Sequence, residues 1–266
     1  LSWLNQLGLR ATYGVNGNIT QDVRPFTYIS FDNATLNPTG QPSASIISLA
    51  NPQLRWEKTY VTNFGLDFGL LDNRLIGTID YYRKNGKDLL YAFPIAAPYV
   101  GTIGAGSLKR NTASMSGKGI DLGLTGTFVR NADWNLDATL NFSYNTNKIT
   151  DNRFDPKDIS AFTYSYNPIG ISYLEGYPSD KIFVFRHAGL DEKGLTQIYN
   201  KNNEIIPVTQ TLSGVEDLEY AGRRVAPYFG SFRTNLRYKQ WSVYALISYQ
   251  FGNVFMKPSI ESYMTP

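Results

Sequence analysis

Apolar and polar residues alternate along several long stretches of this chain. In residues 60–70 every second side chain is apolar or a threonine, and those between are mostly small or polar. Because neighbouring side chains of a β-strand point to opposite faces, this period of two predicts strands with one apolar and one polar face. The same pattern predicts strands over residues 7–13, 60–70, 75–84, 119–128, 134–145, 228–238 and 241–252.

The connections between these strands alternate in length. Short turns are predicted at residues 3–6, 71–74, 129–133 and 239–240, and long loops at 15–55, 85–118 and 146–227. Outer-membrane barrels place short turns on one rim and long loops on the other. Since the flanking strands run in opposite directions, any extra strands between residues 146 and 227 must be even in number, and residues 171–187 are the best place for one of them.

Alternation also occurs in soluble β-sandwiches, so the composition of the polar face has to distinguish a sandwich from a membrane barrel. Water-facing surfaces of soluble domains carry roughly 25–35% charged residues. The polar faces of the four central strands are instead built from Gly, Asn, Ser, Thr and Asp, with Lys84 as their one lysine and no glutamate. The apolar faces of residues 119–128 and 134–145 carry no charge, as expected where a Lys or Arg would cost about 2–4 kcal/mol in lipid. The sequence therefore predicts an all-β fold, an antiparallel transmembrane β-barrel with long extracellular loops.

The overall composition excludes several classes of protein. No run of about 20 apolar residues is present, so a helical membrane span is not expected. The absence of cysteine removes disulfide scaffolds, thiol nucleophiles and Cys-ligated metal sites. A net charge of +3 is too small to favour nucleic acid as a partner. The first residues lack a signal peptide, and we expect an interior piece of a longer protein.

Candidate catalytic residues are few, and no enzyme activity, metal or cofactor is predicted. The single histidine, His187, excludes two-histidine metal motifs and leaves one base for a triad. The glycines of residues 101–106 are in the wrong order for a dinucleotide motif. Five acidic residues could pair as a glycosidase acid and base, but they fall in predicted loops, where we expect solvated carboxylates: Asp155, Asp158, Glu216, Asp217 and Glu219.

The tryptophans suggest two aromatic girdles. Trp134 and Trp241 each open a strand directly after a short turn, whereas Trp56 lies about one strand length from the turn at 71–74. Indole rings favour the membrane interface because the body is apolar and one edge is polar. We therefore expect Trp134 and Trp241 near the periplasmic interface and Trp56 on the extracellular side.

Several segments resemble one known family. The chain is similar to the C-terminal barrel region of SusC/RagA-type TonB-dependent transporters of Bacteroidetes. The most specific segment is NPQLRWEKTYVTNFGLDFGLLDNRLIGTIDYYRKNGKDLL at residues 51–90. Weaker matches are LRATYGVNGN (9–18), GKGIDLGLTGTF (117–128), WNLDATLNFSYNTNKIT (134–150), EGYP (175–178) and PYFGSFRTNLRYKQWSVYALISYQFGN (227–253).

The resemblance implies a barrel of about 22 strands in the outer membrane of a Gram-negative bacterium, plugged by an N-terminal domain. Such a transporter imports large nutrients with energy from TonB, and a SusD-like surface lipoprotein closes over it. Residues 1–266 would be part of one barrel domain, without the plug or the final strands, since Pro266 is not the usual terminal aromatic. They would supply roughly 7–10 strands. The chain's partners would then be the lipoprotein, TonB through a region outside this chain, membrane lipid and the nutrient cargo.

Two groups of residues are candidates for function. Polar-face residues that should line the lumen are Asp67, Asp80, Asp121, Asp137, Asn141, Arg233, Asn235 and Arg237. Loop aromatics that could stack on sugars or dock a partner are Tyr91, Phe93, Tyr99, Tyr164, Tyr166, Tyr173 and Tyr177. The cargo, a glycan or an oligopeptide, is left open. A soluble carbohydrate-binding module, a passive porin and an outer-membrane enzyme are the alternatives.

Overall fold

The computed structural model describes residues 3–19, 26–32, 41–94, 107–153, 173–210, 212 and 214–255. In these ranges the chain forms β-strands and one short 3₁₀ helix, Val215–Asp217. The strands are β1 Leu4–Asn18, β2 Tyr28–Asp32, β3 Ser43–Ser48, β4 Glu57–Leu70, β5 Leu75–Pro94, β6 Ser107–Arg130, β7 Trp134–Asn152, β8 Lys181–Leu190, β9 Thr196–Tyr199, β10 Ile205–Pro207, β11 Leu218–Arg223, β12 Tyr228–Tyr238 and β13 Trp241–Phe251.

Seven strands form one antiparallel sheet, called here the wall sheet, in the order β1-β4-β5-β6-β7-β12-β13. Each predicted strand is present, and the register joins apolar positions to apolar positions. Leu66 on β4 lies opposite Ile79 on β5, which lies opposite Leu122 on β6. Because a slip of one residue would move every side chain to the other face, this continuous register keeps the two faces chemically distinct.

The predicted loop at residues 85–118 is wrong over much of its length. β5 continues to Pro94 and β6 already begins at Ser107, so the two form a hairpin arm that extends beyond β4 and β7. The alternation fails here because the β5–β6 register shifts twice between Gly86 and Leu90. Each such bulge moves the apolar side chains to the other face. β2 and β3 pair with each other within the predicted 15–55 loop.

The short turns lie together at one end of the wall sheet, called the turn end, as predicted. The Leu71 amide donates to the Trp3 carbonyl at 2.8 Å, and the Lys239 amide donates to the Asp133 carbonyl at 2.7 Å. The predicted turn at residues 3–6 is wrong, because β1 starts at Leu4 and a bulge follows directly. The opposite end of the sheet, where the long connections lie, is called the loop end.

The connection between β7 and β12 folds into a small sheet of its own, with the order β10-β9-β8-β11. Its core is formed by Leu174, Phe183 and Leu218, against which Tyr177 packs. The described part of residues 146–227 holds four strands after β7, and β8 overlaps the predicted 171–187 segment. The direct antiparallel pairing of β7 with β12 agrees with the even-number prediction for the wall. None of these strands joins the wall sheet, since β7 pairs directly with β12.

The apolar face of the wall sheet has no protein layer over it within the described residues. Leu9 is 80% exposed, Trp241 79% and Ile247 63%. A soluble sandwich would bury such a face against a second sheet about 10 Å away. Monomeric soluble proteins rarely expose such large apolar patches. The described part of the wall sheet thus shows the uncovered apolar face expected of a barrel wall, and it is not packed as one layer of a sandwich.

Aromatic rings mark both edges of the apolar face. At the turn end Trp134 stacks near Tyr238, with ring centroids 4.2 Å apart, and Trp241 pairs with Tyr238 in register. Toward the loop end Tyr144 and Tyr228 stack at 4.9 Å. Trp56 immediately precedes β4 at the loop end. The tryptophans thus lie at opposite ends of the strands, as predicted.

The helical content is minimal. No helix in the described ranges is long and apolar enough to cross a membrane. Within the same residues no group of His, Asp and Glu is arranged to hold a metal ion.

The first prediction concerns which face meets lipid. This chain has no cysteine, so single cysteines at the neighbouring positions Leu122 and Asp121 can carry spin labels in a full-length protein from which other cysteines are removed. We expect the label at 122 to be relaxed mainly by lipid-soluble oxygen and the label at 121 mainly by a water-soluble nickel chelate. Greater oxygen accessibility at 121 than at 122 would reverse the assignment of the two faces.

The second prediction concerns close packing on the apolar face. Tyr249 lies across Gly230 and donates its hydroxyl to the Asn141 carbonyl at 2.9 Å. A Cβ at Gly230 would clash with that carbonyl oxygen. We expect Gly230→Ala to destabilise the folded barrel by about 1–3 kcal/mol, measured by urea unfolding in detergent micelles.

Gly14 provides the matched control, because a Cβ there meets nothing within 4 Å in the described structure. Gly14→Ala should leave the unfolding midpoint almost unchanged. Equal effects of the two substitutions would show that the close approach at Gly230 contributes nothing.

Candidate functional site

The polar face of the wall sheet carries all eight residues predicted to line the lumen. Asp67 on β4 lies opposite Thr78 on β5, Thr78 opposite Gly123 on β6, and Gly123 opposite Asn141 on β7. Asp80 and Asp121 lie directly opposite each other one step nearer the loop end. All of these positions share one face because the register is continuous.

Arg10 on β1 joins two of the predicted carboxylates. Its Nε lies 2.8 Å from Asp67 Oδ2, and its Nη2 lies 3.3 Å from Asp80 Oδ2. Asn63 also donates to Asp80 Oδ1, at 3.1 Å. The Asn63 Oδ1 atom is buried without a hydrogen-bond partner among the described residues. The sequence interpretation missed Arg10, although it is the charged residue of its strand.

Asp137 forms a second group, four residues nearer the turn end than Asn141. It accepts a hydrogen bond from Thr127 Oγ1 at 2.9 Å and another from Asn135 Nδ2. Asn235 lies opposite Asp137 in the register. Asp67 and Asp80 are therefore brought together by Arg10, whereas Asp137 belongs to a separate polar cluster.

The β12 residues of the polar face pair mainly with β7. Arg233 Nη2 donates to Thr139 Oγ1 at 3.1 Å, and Asn141 Nδ2 donates to Ser231 Oγ at 3.1 Å. Arg237 lies opposite Asn135 in the register. Hydroxyl and amide groups dominate this face, so it presents neutral hydrogen-bonding groups with a few charges among them.

The NPQLRWEK segment forms a clasp at the loop end. Arg55 pairs with Asp88 at 2.8 Å, and the Asn111 side-chain amide donates to the carbonyls of both residues at 2.7 Å. Glu57 accepts from the Leu90 amide at 2.8 Å. Asp88 has a positive φ of 59°. The segment therefore fixes the distorted part of β5 to β6, which gives this specific motif a structural role.

A pocket of about 520 Å³ opens beside this clasp. Three arginines and three amide side chains line it: Asn51, Gln53, Arg55, Arg110, Asn111 and Arg153. Arginine presents a planar fork of donors that suits carboxylate, phosphate and sulfate oxygens. The sequence interpretation missed this pocket because its residues come from three distant segments.

The structure describes only some of the predicted loop aromatics. Tyr91 and Phe93 are not in a loop, since both belong to β5. Tyr173 lies 6.0 Å from Tyr91 between ring centroids, and burial raises the pKa of the Tyr173 phenol, with the Glu57 carboxylate adding to the effect. Tyr177 packs into the core of the small sheet. Tyr99, Tyr164 and Tyr166 lie outside the described residues.

A largely buried ion pair lies where the small sheet meets the wall. Arg223 Nε lies 3.2 Å from Asp180 Oδ2, and the two side chains are 11% and 14% exposed. Arg223 Nη1 also donates to the Asn145 carbonyl of β7 at 2.9 Å. Burial lowers the pKa of the adjacent Lys181 ammonium from 10.5 to about 8, against the opposing effect of Asp180. Charges are concentrated at this junction, while the core of the small sheet is apolar.

The other chemical candidates are dispersed. His187 lies on β8 and Glu219 on β11. Glu216 and Asp217 belong to the 3₁₀ helix, and the expectation that Asp217 is solvated is wrong, because it is buried and accepts from the Lys201 amide at 2.8 Å. Residues 101–106, Asp155 and Asp158 lie outside the described ranges.

Comparison with known proteins gives one family over most of the chain. Residues 1–254 match the family described as TonB dependent receptor-like, beta-barrel. TonB-dependent receptor P39 of Formosa agariphila is 23% identical over 95% of this chain, and TonB-dependent receptor SusC of Bacteroides thetaiotaomicron is 28% identical over 72% of it. The chain spans 27% and 20% of these relatives, respectively.

Solved structures show the same relationship. The chain is similar to the RagAB peptide transporter, with a TM-score of 0.72 and 27% identity, covering 95% of this chain and 27% of that one. It is also similar to the RagAB peptide importer in its open-open state, with a TM-score of 0.73, 28% identity and the same coverage.

The third prediction concerns the Asp180–Arg223 pair. Removing one partner of a buried ion pair leaves the other charge uncompensated, at a cost of roughly 3–5 kcal/mol when burial is complete. Arg223→Met removes both this ion pair and the hydrogen bond to the Asn145 carbonyl of the wall. We therefore expect it to loosen the small sheet, observed as faster proteolysis of residues 181–223 in the folded protein. The paired change Asp180→Asn with Arg223→Met should restore part of the protection.

Arg55 and Asp88 provide a control, because this more exposed pair belongs to the clasp and neither residue is part of the small sheet. Arg55→Met should leave proteolysis of residues 181–223 unchanged. If Arg223→Met gave the same cleavage pattern as the unmodified protein, Arg223 would not hold the small sheet in place.

Proposed function

Because the chain belongs to the TonB dependent receptor-like β-barrel family, we propose that it forms part of an outer-membrane importer of large nutrients, energised by TonB. The cargo would be a glycan or an oligopeptide, and a SusD-like lipoprotein would cover the loop end. The bacterium would be a Gram-negative relative of the Bacteroidetes.

The observation that carries this proposal is the contrast between the two faces of the wall sheet. One face is apolar, uncovered and bordered by aromatic rings. The other carries polar pairs such as Arg10 with Asp67 and Asn141 with Ser231. A barrel wall separates lipid from a hydrated interior, and this contrast is what that position requires. Together with the resemblance to SusC and to the RagAB peptide transporter, it favours a transporter over an enzyme.

The polar face would line the lumen and contact the plug. The cluster of Arg10, Asp67, Asp80 and Asn63 suits such a contact, because it combines charges with a buried acceptor that has no partner among the described residues. Buried polar atoms in folded proteins nearly always find a partner. A donor from the plug or a water molecule would satisfy Asn63 Oδ1.

The arginine pocket at the loop end would be the first contact for cargo. Arg55 pairs with Asp88, Arg110 and Arg153 extend the cationic lining, and the side chains of Asn51 and Gln53 add amide groups. These groups suit the carboxylate of a peptide or the acidic groups of a glycan. Tyr173 would add an aromatic surface near the clasp.

The fourth prediction tests import directly. In a strain that carries the full-length gene and its neighbouring lipoprotein gene, we expect uptake of fluorescent oligopeptides or oligosaccharides to stop when a protonophore collapses the energy supplied to TonB. The double variant Arg110→Ala with Arg153→Ala should reduce uptake of acidic cargo severalfold, through a higher half-saturating concentration. Neutral cargo of the same size should be affected less.

Lys193→Ala provides the matched control for removal of a surface charge, because Lys193 is exposed in the β8–β9 turn of the small sheet. It should leave uptake unchanged. Uptake that continues at the same rate with the protonophore present would contradict the active importer and favour the passive porin. Normal uptake in the double variant would contradict only the proposed role of the arginine pocket.

A further inference from the structure

We propose that the lipid-facing side of the wall sheet binds the phosphate groups of lipid headgroups at the loop end. The site is a cluster of Arg83, Lys118 and Lys148, called here the basic ledge. The chemical class of the ligand is a phosphorylated lipid of the leaflet that surrounds the loop end.

The register places the basic ledge directly above the aromatic edge of the apolar face. On that face Tyr81 lies opposite Ile120, and Ile120 lies opposite Tyr144. One step nearer the loop end, Arg83 lies opposite Lys118. A further step places Lys148 opposite Ser116. Charge therefore begins on this face where the aromatic rings end, at the height expected for lipid headgroups.

The cations of the ledge face each other without an acidic partner. Arg83 and Lys118 form a direct cross-strand pair, and like charges in that position destabilise a sheet. Within the described part of the chain, ion pairs involve Arg10, Arg55 and Arg223 and none of the three ledge residues. Asp80 and Asp121 lie on the opposite face. An anion from outside the protein would relieve this repulsion.

The ledge surrounds a groove and does not form a flat patch. The groove has a volume of about 360 Å³, and the three cations share its lining with Tyr81, Ser116 and Thr146. Hydroxyl groups and cations together supply several donors for phosphate oxygens. Tyr81 lies toward the apolar side, where the first part of an acyl chain would pack. The geometry therefore suits a charged headgroup joined to an apolar tail.

The surrounding surface is also positive. Lys87 lies over the Tyr60 ring, 5.7 Å from its centroid, in a second groove that includes Arg83. Lys58 lies opposite Lys87 in the register. Clusters of basic residues near a membrane surface attract anionic lipids, by roughly a factor of five for each residue. The three ledge residues alone would thus favour an anionic lipid by about 100-fold.

The experiment compares lipid retention by full-length protein in nanodiscs of phosphatidylcholine doped with lipid A. The triple variant Arg83→Gln, Lys118→Gln, Lys148→Gln should retain lipid A about 100-fold more weakly than the unmodified protein in low salt, measured by native mass spectrometry. The triple variant Lys193→Gln, Lys201→Gln, Arg224→Gln removes the same charge from exposed positions of the small sheet. It should retain lipid A normally.

Equal retention by the ledge variant and the unmodified protein would overturn the proposal. So would displacement of lipid A by inorganic phosphate at low millimolar concentration, since the site would then hold free phosphate. Folding is checked by heat-modifiable migration in gels. If the triple variant does not fold, Lys148→Glu alone, at an exposed position, should still lower retention relative to Lys148→Gln. The uptake experiment is independent, because lipid binding can fail while import continues.

Discussion

Hydrogen bonding of the backbone in a medium without water is the constraint on which the rest of this structure depends. Each strand that crosses a bilayer has to pair its amide and carbonyl groups with neighbouring strands, because lipid offers no alternative partner. The wall sheet meets this demand through continuous antiparallel ladders from β1 to β13. Once the ladder is continuous, side chains are sorted to two faces by their position alone, and each face can be adapted to a different solvent.

The two faces of the wall sheet could be predicted because they depend only on the alternation of neighbouring residues within each strand. The spacing of apolar residues alone assigns Leu66, Ile79 and Leu122 to the apolar face. The short turn at residues 71–74 predicts that the two strands it joins pair antiparallel. Where the alternation is interrupted, the sequence carries less information. The bulges between Gly86 and Leu90 shift the phase, so the continuation of β5 to Pro94 could not be recognised from periodicity.

The candidate sites were less predictable because they depend on contacts between distant residues. The sequence suggested Asp67 and Asp80 as members of one polar face, but their common partner Arg10 lies 57 and 70 residues away. The clasp formed by Arg55, Asp88 and Asn111 likewise joins three separate segments. The family resemblance identifies the segment that contains Arg55. The role of this arginine becomes clear only from the β5–β6 bulge, which places Asp88 within reach of its guanidinium group.

The arm formed by β5 and β6 has a mechanical consequence. Its last residues extend beyond the pairing with β4 and β7, and at about 3.3 Å per residue the six residues from Leu89 to Pro94 form a ribbon of roughly 20 Å. The clasp braces the base of this ribbon against the Asn51–Glu57 segment. Because these contacts hold the ribbon only at its base, we expect it to move as a rigid arm about that base. A force on the described part of this ribbon would therefore be transmitted into the wall sheet at Gly86 and Met115, which lie opposite each other at its base.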